Sequence, residues 1–113
     1  MADRGDVLQG TLDMLVLKAL QLEPMHGWGI AERIEHWSEH VLQLGQGTLY
    51  PGLYRLERQK LIASTWGESE NNRKAKFYTL SAAGRKRLKA ETESWDRFSL
   101  VVASVLDAVP EKS

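Results

Sequence analysis

Three residues near the middle of the chain have the types and spacing of a metal site. His36, Glu39 and His40 match the H-x-x-E-H pattern, in which two imidazoles bind zinc and the glutamate acts as a base. A zinc hydrolase also needs a third protein ligand and a substrate cleft, and so short a pattern often arises by chance. The chain carries no P-loop, nucleophile-elbow or dinucleotide fingerprint. We keep a small zinc-dependent hydrolase as an alternative, and otherwise expect no enzyme, no metal and no cofactor.

The distribution of charge indicates a different chemistry, the binding of a polyanion. Residues 46–89 hold ten of the fifteen Lys and Arg residues but only three of the fifteen Asp and Glu residues. This segment therefore has a net charge of +7 and the remainder −7, although the whole chain is neutral. A local excess of cations attracts phosphates even when the net charge is zero. The charge pattern predicts a nucleic-acid partner.

The composition limits the kind of protein that carries this segment. A chain of 113 residues is expected to form one compact unit. It has no cysteine, which excludes disulfides and thiolate metal ligands and agrees with a reducing compartment. The first residues lack the apolar stretch of a signal peptide, and the apolar run at residues 98–106 is too short to span a bilayer. We expect a cytoplasmic protein without a membrane partner.

The spacing of apolar residues predicts three short helices in the first half of the chain. Thr11 is expected to cap the first helix, which would end near residues 23–24. The second helix would follow the turn at residues 27–29 and reach about residue 41. The third would open at Gly47 or Thr48 and turn its apolar side inward, with an aromatic and basic side outward. The inward residues are Leu49, Leu53 and Leu56.

The second half of the chain predicts a hairpin followed by a long helix. Residues 61–66 and 74–80 are rich in strand-forming residues and flank a turn-prone loop. Ser81 is expected to cap a helix that runs to Val109. We assign Trp28, Trp37 and Trp66 to the core or the base of the hairpin. Three helices and a hairpin form a winged helix-turn-helix, so the expected fold is mainly α with a small β-hairpin and a long C-terminal helix.

Three sequence blocks in this order resemble the PadR family of transcriptional regulators. They are GTLYPGLYRLE at residues 47–57, LI at residues 61–62 and RKAKFYTLSAAG at residues 73–84. The segment GTLDMLVL at residues 10–17 and the pair His26-Gly27 also fit. Gly52 and Ala75 depart from the pattern, because family members often carry Ala and a cation there. The resemblance implies a winged-helix domain at residues 1–80, a dimerisation helix at residues 81–109 and a frayed tail at residues 110–113.

The expected function is sequence-specific binding of double-stranded DNA. A helix opening at Gly47 and Thr48 presents backbone N–H groups and the positive end of its dipole to a major groove. The outward residues of this helix that we expect to contact DNA are Gln46, Thr48, Tyr50, Pro51, Tyr54 and Arg55. Tyr54 could instead cover the edge of the core. The hairpin cations expected to contact the backbone or a minor groove are Arg73, Lys74 and Lys76.

The C-terminal helix predicts a twofold homodimer. Apolar residues recur on it at steps of mainly three and four, and a second copy of the chain is the simplest cover for such a face. The predicted interface residues are Leu88, Trp95, Phe98, Val102, Val105 and Val109. The resemblance implies a dimer as well, with repression from an inverted-repeat operator. It also implies a planar aromatic effector beside Trp95 and Phe98, although Trp95 could equally be an ordinary interface residue.

A further alternative is a winged-helix module that binds a protein rather than DNA. Its basic segment would then contact an acidic surface. Salt distinguishes the two, because each phosphate neutralised on duplex DNA steepens the dependence of log K on log salt by about 0.9. A protein interface predicts a shallower dependence.

Overall fold

The elements of the chain follow the order that the sequence predicts, with one added strand. A computed structural model describes the backbone of residues 4–111 and the side chains of residues 9–111. The elements are α1 (Arg4–Leu22), β1 (Met25–His26), α2 (Gly27–Trp37), α3 (Gln46–Arg58), β2 (Ile62–Glu68), β3 (Lys74–Leu80) and α4 (Ala82–Leu106). Three helices and a hairpin precede a long helix, so the predicted mainly α, winged helix-turn-helix class is confirmed.

Side-chain caps fix the starts of two helices. Gly29 N donates to His26 Nδ1 at 3.0 Å at the start of α2, and Gly84 N donates to Ser81 Oγ at 3.0 Å at the start of α4. The predicted cap at Ser81 is therefore confirmed. The predicted cap at Thr11 is wrong, because α1 already includes residue 4 and Thr11 lies inside it. The glycine before Thr11 costs a helix only about 1 kcal/mol, so it does not end the helix.

The three strands form one antiparallel sheet in the order β1-β3-β2. In the hairpin, Ile62 pairs with Leu80 and Trp66 with Lys76. The sequence did not predict β1, a strand of two residues that pairs Met25 with Tyr78. So short a strand leaves no alternation to detect, and it forms because the main chain entering α2 runs beside β3.

Aliphatic side chains fill the core between the helices and the sheet. The predicted inward residues Leu49, Leu53 and Leu56 are all buried, which confirms the register of α3. They pack with residues of α1, α2 and the hairpin, chiefly Val16, Leu17, Leu20, Ile30, Ile34, Ile62 and Leu80. The prediction for the tryptophans is wrong, because these aliphatic residues close the core without them. Trp28, Trp37 and Trp66 are 59%, 48% and 67% exposed.

Helix α4 is buried only near its N-terminal end and extends beyond the rest of the domain. Its first turns pack on α1, where Leu88 is buried in the core. Helix α4 still borders α1 as far as Phe98, and the chain measures 69 × 29 × 24 Å along its principal axes. Helix α4 ends at Leu106 rather than at the predicted Val109, since the backbone N–H of Asp107 closes the last turn on Ala103. Residues 112–113 of the predicted frayed tail, like residues 1–8, lie outside the described side chains.

No helix in the described part of the chain is long and apolar enough to cross a membrane.

Gly52 is a glycine that α3 does not require. A Cβ atom at Gly52 would meet only the Arg55 Nη2 atom, at 3.7 Å, an ordinary van der Waals distance. We expect Gly52→Ala to raise the free energy of unfolding by about 0.5–1 kcal/mol, because alanine loses less backbone entropy in a helix. Urea denaturation followed by circular dichroism measures this change.

Gly84 in α4 provides the matched control. A Cβ atom there would clash with the Leu61 carbonyl oxygen and with the Leu80 side chain. Gly84→Ala is therefore expected to lower the free energy of unfolding. A loss of stability in Gly52→Ala comparable to that in Gly84→Ala would show that α3 does depend on the glycine.

Candidate nucleic-acid interface

Helix α3 presents one exposed side while its other side anchors it in the core. It begins at Gln46 after Gly45, and the first turn of any helix has N–H groups without intrahelical acceptors. Gln46 and Thr48 are exposed in that turn. Pro51 and Tyr54 are exposed one turn further on. The helix therefore exposes donors, a hydroxyl and an aromatic ring around the part of its circumference that the core does not cover.

The two tyrosines of α3 are held differently. The Tyr50 ring lies over the start of α2, where a Cβ atom on Gly27 would be 2.9 Å from Tyr50 Cε1. The glycine thus allows a close approach that fixes the ring while its outer edge stays exposed. Tyr54 is exposed, and the Arg58 guanidinium lies 5.8 Å from its ring centroid. Tyr54 therefore does not cover the core edge, the alternative that its position in the sequence allowed.

Arg55 holds α3 to α1. Its Nη2 atom donates to Asp13 Oδ1 at 2.5 Å, and both side chains are mostly buried. Burial raises the pKa of Asp13, and the hydrogen bond and charge of Arg55 oppose that shift without cancelling it. The DNA contact predicted for Arg55 stays a prediction, and here its guanidinium is paired with the Asp13 carboxylate. The sequence could not reveal this partner, which lies 42 residues away.

The hairpin cations fall into two groups. Arg73 and Lys74 are exposed at the tip, next to a turn in which Asn72 has a φ of 58°. Lys76 lies nearer the base, where its Nζ atom is 3.3 Å from Glu57 Oε1 on α3. Only part of the Lys76 charge is available to a ligand, since this carboxylate compensates it. Arg73 and Lys74 are the cations that the hairpin leaves free to meet a phosphate.

Glu57 joins α3 to both strands of the hairpin. Its Oε2 atom accepts a hydrogen bond of 2.5 Å from Ser64 Oγ, and its Oε1 atom faces Lys76. The hydrogen bond from Ser64, and then Lys76, hold the pKa of Glu57 below its usual value. Sequence reasoning missed this residue, although a single carboxylate on a basic helix was a signal that it had a partner.

A groove brings the helix and the hairpin together. We call it the wing groove; it has a volume of about 620 Å³. Its walls come from α2, from α3 and from the hairpin. They include Trp28, Glu32, Tyr50, Trp66, Arg73, Lys74 and Lys76. Tyr50 of α3 therefore shares one surface with the three hairpin cations. Thr48 and Pro51 instead line a separate apolar cavity, and Gln46 lies at the start of the helix.

The predicted interface residues of α4 separate into one core residue and an exposed series. Leu88 belongs to the core of its own chain, which leaves little of its side chain for the dimer contact that the sequence predicts. Val109 lies beyond the end of the helix, in the irregular segment before Pro110. The remaining residues are exposed, namely Trp95, Phe98, Val102 and Val105. Trp95 borders two depressions on α1, and Phe98 lines the smaller, of about 190 Å³.

The zinc pattern is not held in the geometry that it needs. Two histidines four residues apart share a helix face only while the helix continues, and α2 ends at Trp37. Glu39 and His40 instead have φ angles of 54° and 69°. His40 Nδ1 lies 3.2 Å from Glu35 Oε2. No group of three or more metal-binding side chains occurs among the described residues. The zinc-hydrolase alternative therefore finds no site in the described part of the chain.

Solved structures with this fold are transcriptional regulators. One from Clostridium thermocellum superposes with a TM-score of 0.80 at 26% identity, covering 88% of this chain and 96% of that one. A PadR-like regulator from Bacillus cereus has a TM-score of 0.78 at 25% identity, covering 92% and 99%. A PadR family regulator from Eggerthella lenta has a TM-score of 0.78 at 30% identity, covering 92% and 88%.

Two uncharacterized proteins are similar in sequence. Protein X of Lysinibacillus sphaericus is 26% identical over 92 residues, covering 81% of this chain and 84% of that protein. A 37.1 kDa protein in a transposon of Streptomyces fradiae is 40% identical over 86 residues, which cover 76% of this chain. The chain spans only 23% of the length of that second protein.

The winged helix and its exposed basic surface define a DNA-binding transcriptional regulator. The model of the PadR-like family of transcriptional regulators matches residues 16–90, about two thirds of the chain. The chain belongs to this family. Its members are regulators of transcription and not enzymes, in agreement with the expectation from the sequence.

Removing Arg55 should affect stability rather than DNA contact. We expect Arg55→Ala to lower the free energy of unfolding by about 1–2 kcal/mol, since it leaves the half-buried Asp13 carboxylate unpaired. Urea denaturation measures this loss. The salt dependence of duplex binding should stay as in the unmodified protein, because no phosphate contact is removed. A shallower salt dependence without loss of stability would return Arg55 to the DNA surface.

Proposed function

We propose that the protein is a repressor that binds a palindromic DNA operator as a homodimer. The observation that carries the proposal is the wing groove, in which Tyr50 of α3 faces the free cations Arg73 and Lys74. A winged helix that binds a duplex needs these two elements on one side, the first to read bases and the second to contact the backbone. The +7 charge of residues 46–89 supplies the attraction to phosphate.

The contacts divide by chemistry. Gln46, Thr48 and Tyr50 on the exposed side of α3 have the donors and acceptors that distinguish base edges in a major groove. Pro51 and Tyr54 add apolar contact with thymine methyl groups or sugars. Arg73 and Lys74 contact phosphates and so contribute affinity rather than sequence preference.

Homodimerisation rests on the exposed apolar face of α4. Trp95, Phe98, Val102 and Val105 follow one another at steps of three and four, so they share one side of the helix. Soluble monomers rarely expose so long an apolar surface, and a second α4 or the partner's α1 can cover it. Twofold symmetry then requires an inverted repeat with half-sites about 10 bp apart, or a multiple of that. In this arrangement residues 1–80 bind DNA and residues 81–109 join the subunits.

A planar aromatic effector would bind at the same interface. Trp95 and Phe98 present exposed rings next to the depressions on α1, where a flat apolar molecule could stack between subunits. Release of DNA by such a molecule would make it an inducer. Operator binding also places the protein in the cytoplasm.

A module that binds a protein through the same surface is the second candidate. Its support is that Glu32 lies in the wing groove beside the cations, so the groove is not uniformly basic. Selection of bound duplexes from a random pool by the purified protein separates the two functions. An enriched inverted repeat supports the repressor, and no enrichment supports the protein-binding module.

Lys74→Ala and Tyr50→Ala should have different effects on DNA binding. We expect Lys74→Ala to weaken binding to selected and random duplexes alike and to reduce the salt slope by about 0.9, because one phosphate contact is lost. Tyr50→Ala should weaken binding to the selected duplex more, since it removes a base contact. Fluorescence anisotropy over a range of salt concentrations measures both changes. An unchanged slope in Lys74→Ala would remove that residue from the interface.

Charge introduced into the apolar face of α4 should separate the subunits. We expect Val102→Glu to raise the dimer dissociation constant at least about tenfold, because the interface would bury an unpaired carboxylate. Sedimentation velocity over a range of protein concentrations measures it. Ser104→Glu on the opposite side of α4 is the control and should leave the dimer intact. Sedimentation velocity on Trp95→Ala separates two roles of this residue. A monomer would indicate a structural role. A dimer that aromatic compounds no longer change would indicate an effector role.

A further inference from the structure

Trp66 lies on the inner face of the hairpin. Side chains alternate along a strand, so Ile62, Ser64 and Trp66 of β2 share one face. Ile62 is buried in the core, and Ser64 donates to Glu57 of α3. That face is therefore turned toward α3. Trp66 lies on the same face, two residues nearer the hairpin tip than Ser64. Helix α3 does not cover this position, and the Trp66 ring is 67% exposed.

A second tryptophan occupies the opposite side of the wing groove. Trp28 extends from the start of α2 and is 59% exposed, and the partly exposed Tyr50 ring also lines the groove. A single exposed apolar residue has no special meaning in a soluble protein. Two indoles and a phenol around one open groove form an apolar surface, and such surfaces mark binding sites.

The charges of the wing groove are too nearly balanced to bind a polyanion alone. Arg73, Lys74 and Lys76 face Glu32 and Glu70 there, which leaves a net charge of +1 with His26 neutral. Glu57 further compensates Lys76. A ligand held in this groove must therefore gain free energy from apolar contact as well as from its charge.

A DNA strand has the chemistry that matches this combination. Its phosphates pair with Arg73 and Lys74, while the carbon face of each deoxyribose is apolar and suits an indole ring. The indole N–H can also donate to a phosphate oxygen. Contacts with sugars and phosphates set the position of a protein on the duplex without reading its sequence.

We propose that Trp66 is a DNA-positioning residue whose ring packs on the sugar-phosphate backbone of a strand seated in the wing groove, with Trp28 as the opposite wall. This inference rests on the proposed DNA-binding function. On this proposal the hairpin contacts DNA through an uncharged ring as well as through the cations at its tip. Trp66 would thereby fix how far the hairpin advances over the duplex.

Substitution of Trp66 tests the proposal through the combination of affinity and salt dependence. We expect Trp66→Ala to weaken binding to selected and random duplexes by the same factor, about tenfold, from the loss of apolar contact. The salt slope should not change, because no cation is removed. Trp66→Phe keeps a ring and should recover most of the affinity. Trp37→Ala removes an exposed tryptophan outside the groove and should leave affinity unaltered.

A second measurement does not depend on a loss of affinity. Saturation with duplex should protect the tryptophan fluorescence of the unmodified protein from acrylamide, and Trp66→Phe should show less of this protection. If the unmodified protein binds duplex but Trp66→Ala binds equally well and protection is the same in Trp66→Phe, the role of Trp66 is refuted and DNA binding stands. If the unmodified protein binds no duplex, the proposed function itself fails.

Discussion

The carboxylate of Glu57 sets the geometry on which DNA recognition depends. It accepts a hydrogen bond from Ser64 on β2 and faces Lys76 on β3, so one side chain of α3 ties down both strands of the hairpin. A hairpin of two strands has little stability by itself and needs such support. The distance between the exposed side of α3 and the cations Arg73 and Lys74 is thereby fixed before any DNA is bound.

A second polar link, between Asp13 and Arg55, joins the reading helix to α1. Burial raises the pKa of Asp13 despite the adjacent guanidinium, so removal from water costs this carboxylate more than its partner returns. Such a pair adds little net stability, but it defines one orientation of α3 against α1. Helix α1 also packs on α4. Helix α1 therefore contacts both α3, which carries the proposed DNA-binding side chains, and α4, which carries the exposed apolar face.

Apolar periodicity predicted the helices and the hairpin, because burial of a regular stripe is what selects each element. It failed where a residue's role depends on a partner far away in sequence. The pairing of Arg55 with Asp13 and the burial of Leu88 in its own core could not be predicted, because both depend on residues of α1 that are distant in sequence. Trp66 was expected in the core or at the base of the hairpin, yet smaller side chains already fill the core and Trp66 is exposed. The basic surface was predictable from charge; the wing groove was not.

Ser81 stands between the hairpin and the long helix with no linker on either side. Its hydroxyl oxygen lies 2.9 Å from the Leu61 carbonyl oxygen and accepts from Gly84 N, and β3 ends one residue before it. The hairpin and α4 are therefore joined directly at Ser81, without a linker between them. In a dimer built through α4, the crossing angle between the two α4 helices would determine the distance between the two α3 helices. That angle would then select operators by the spacing between their half-sites, without any contact to a base.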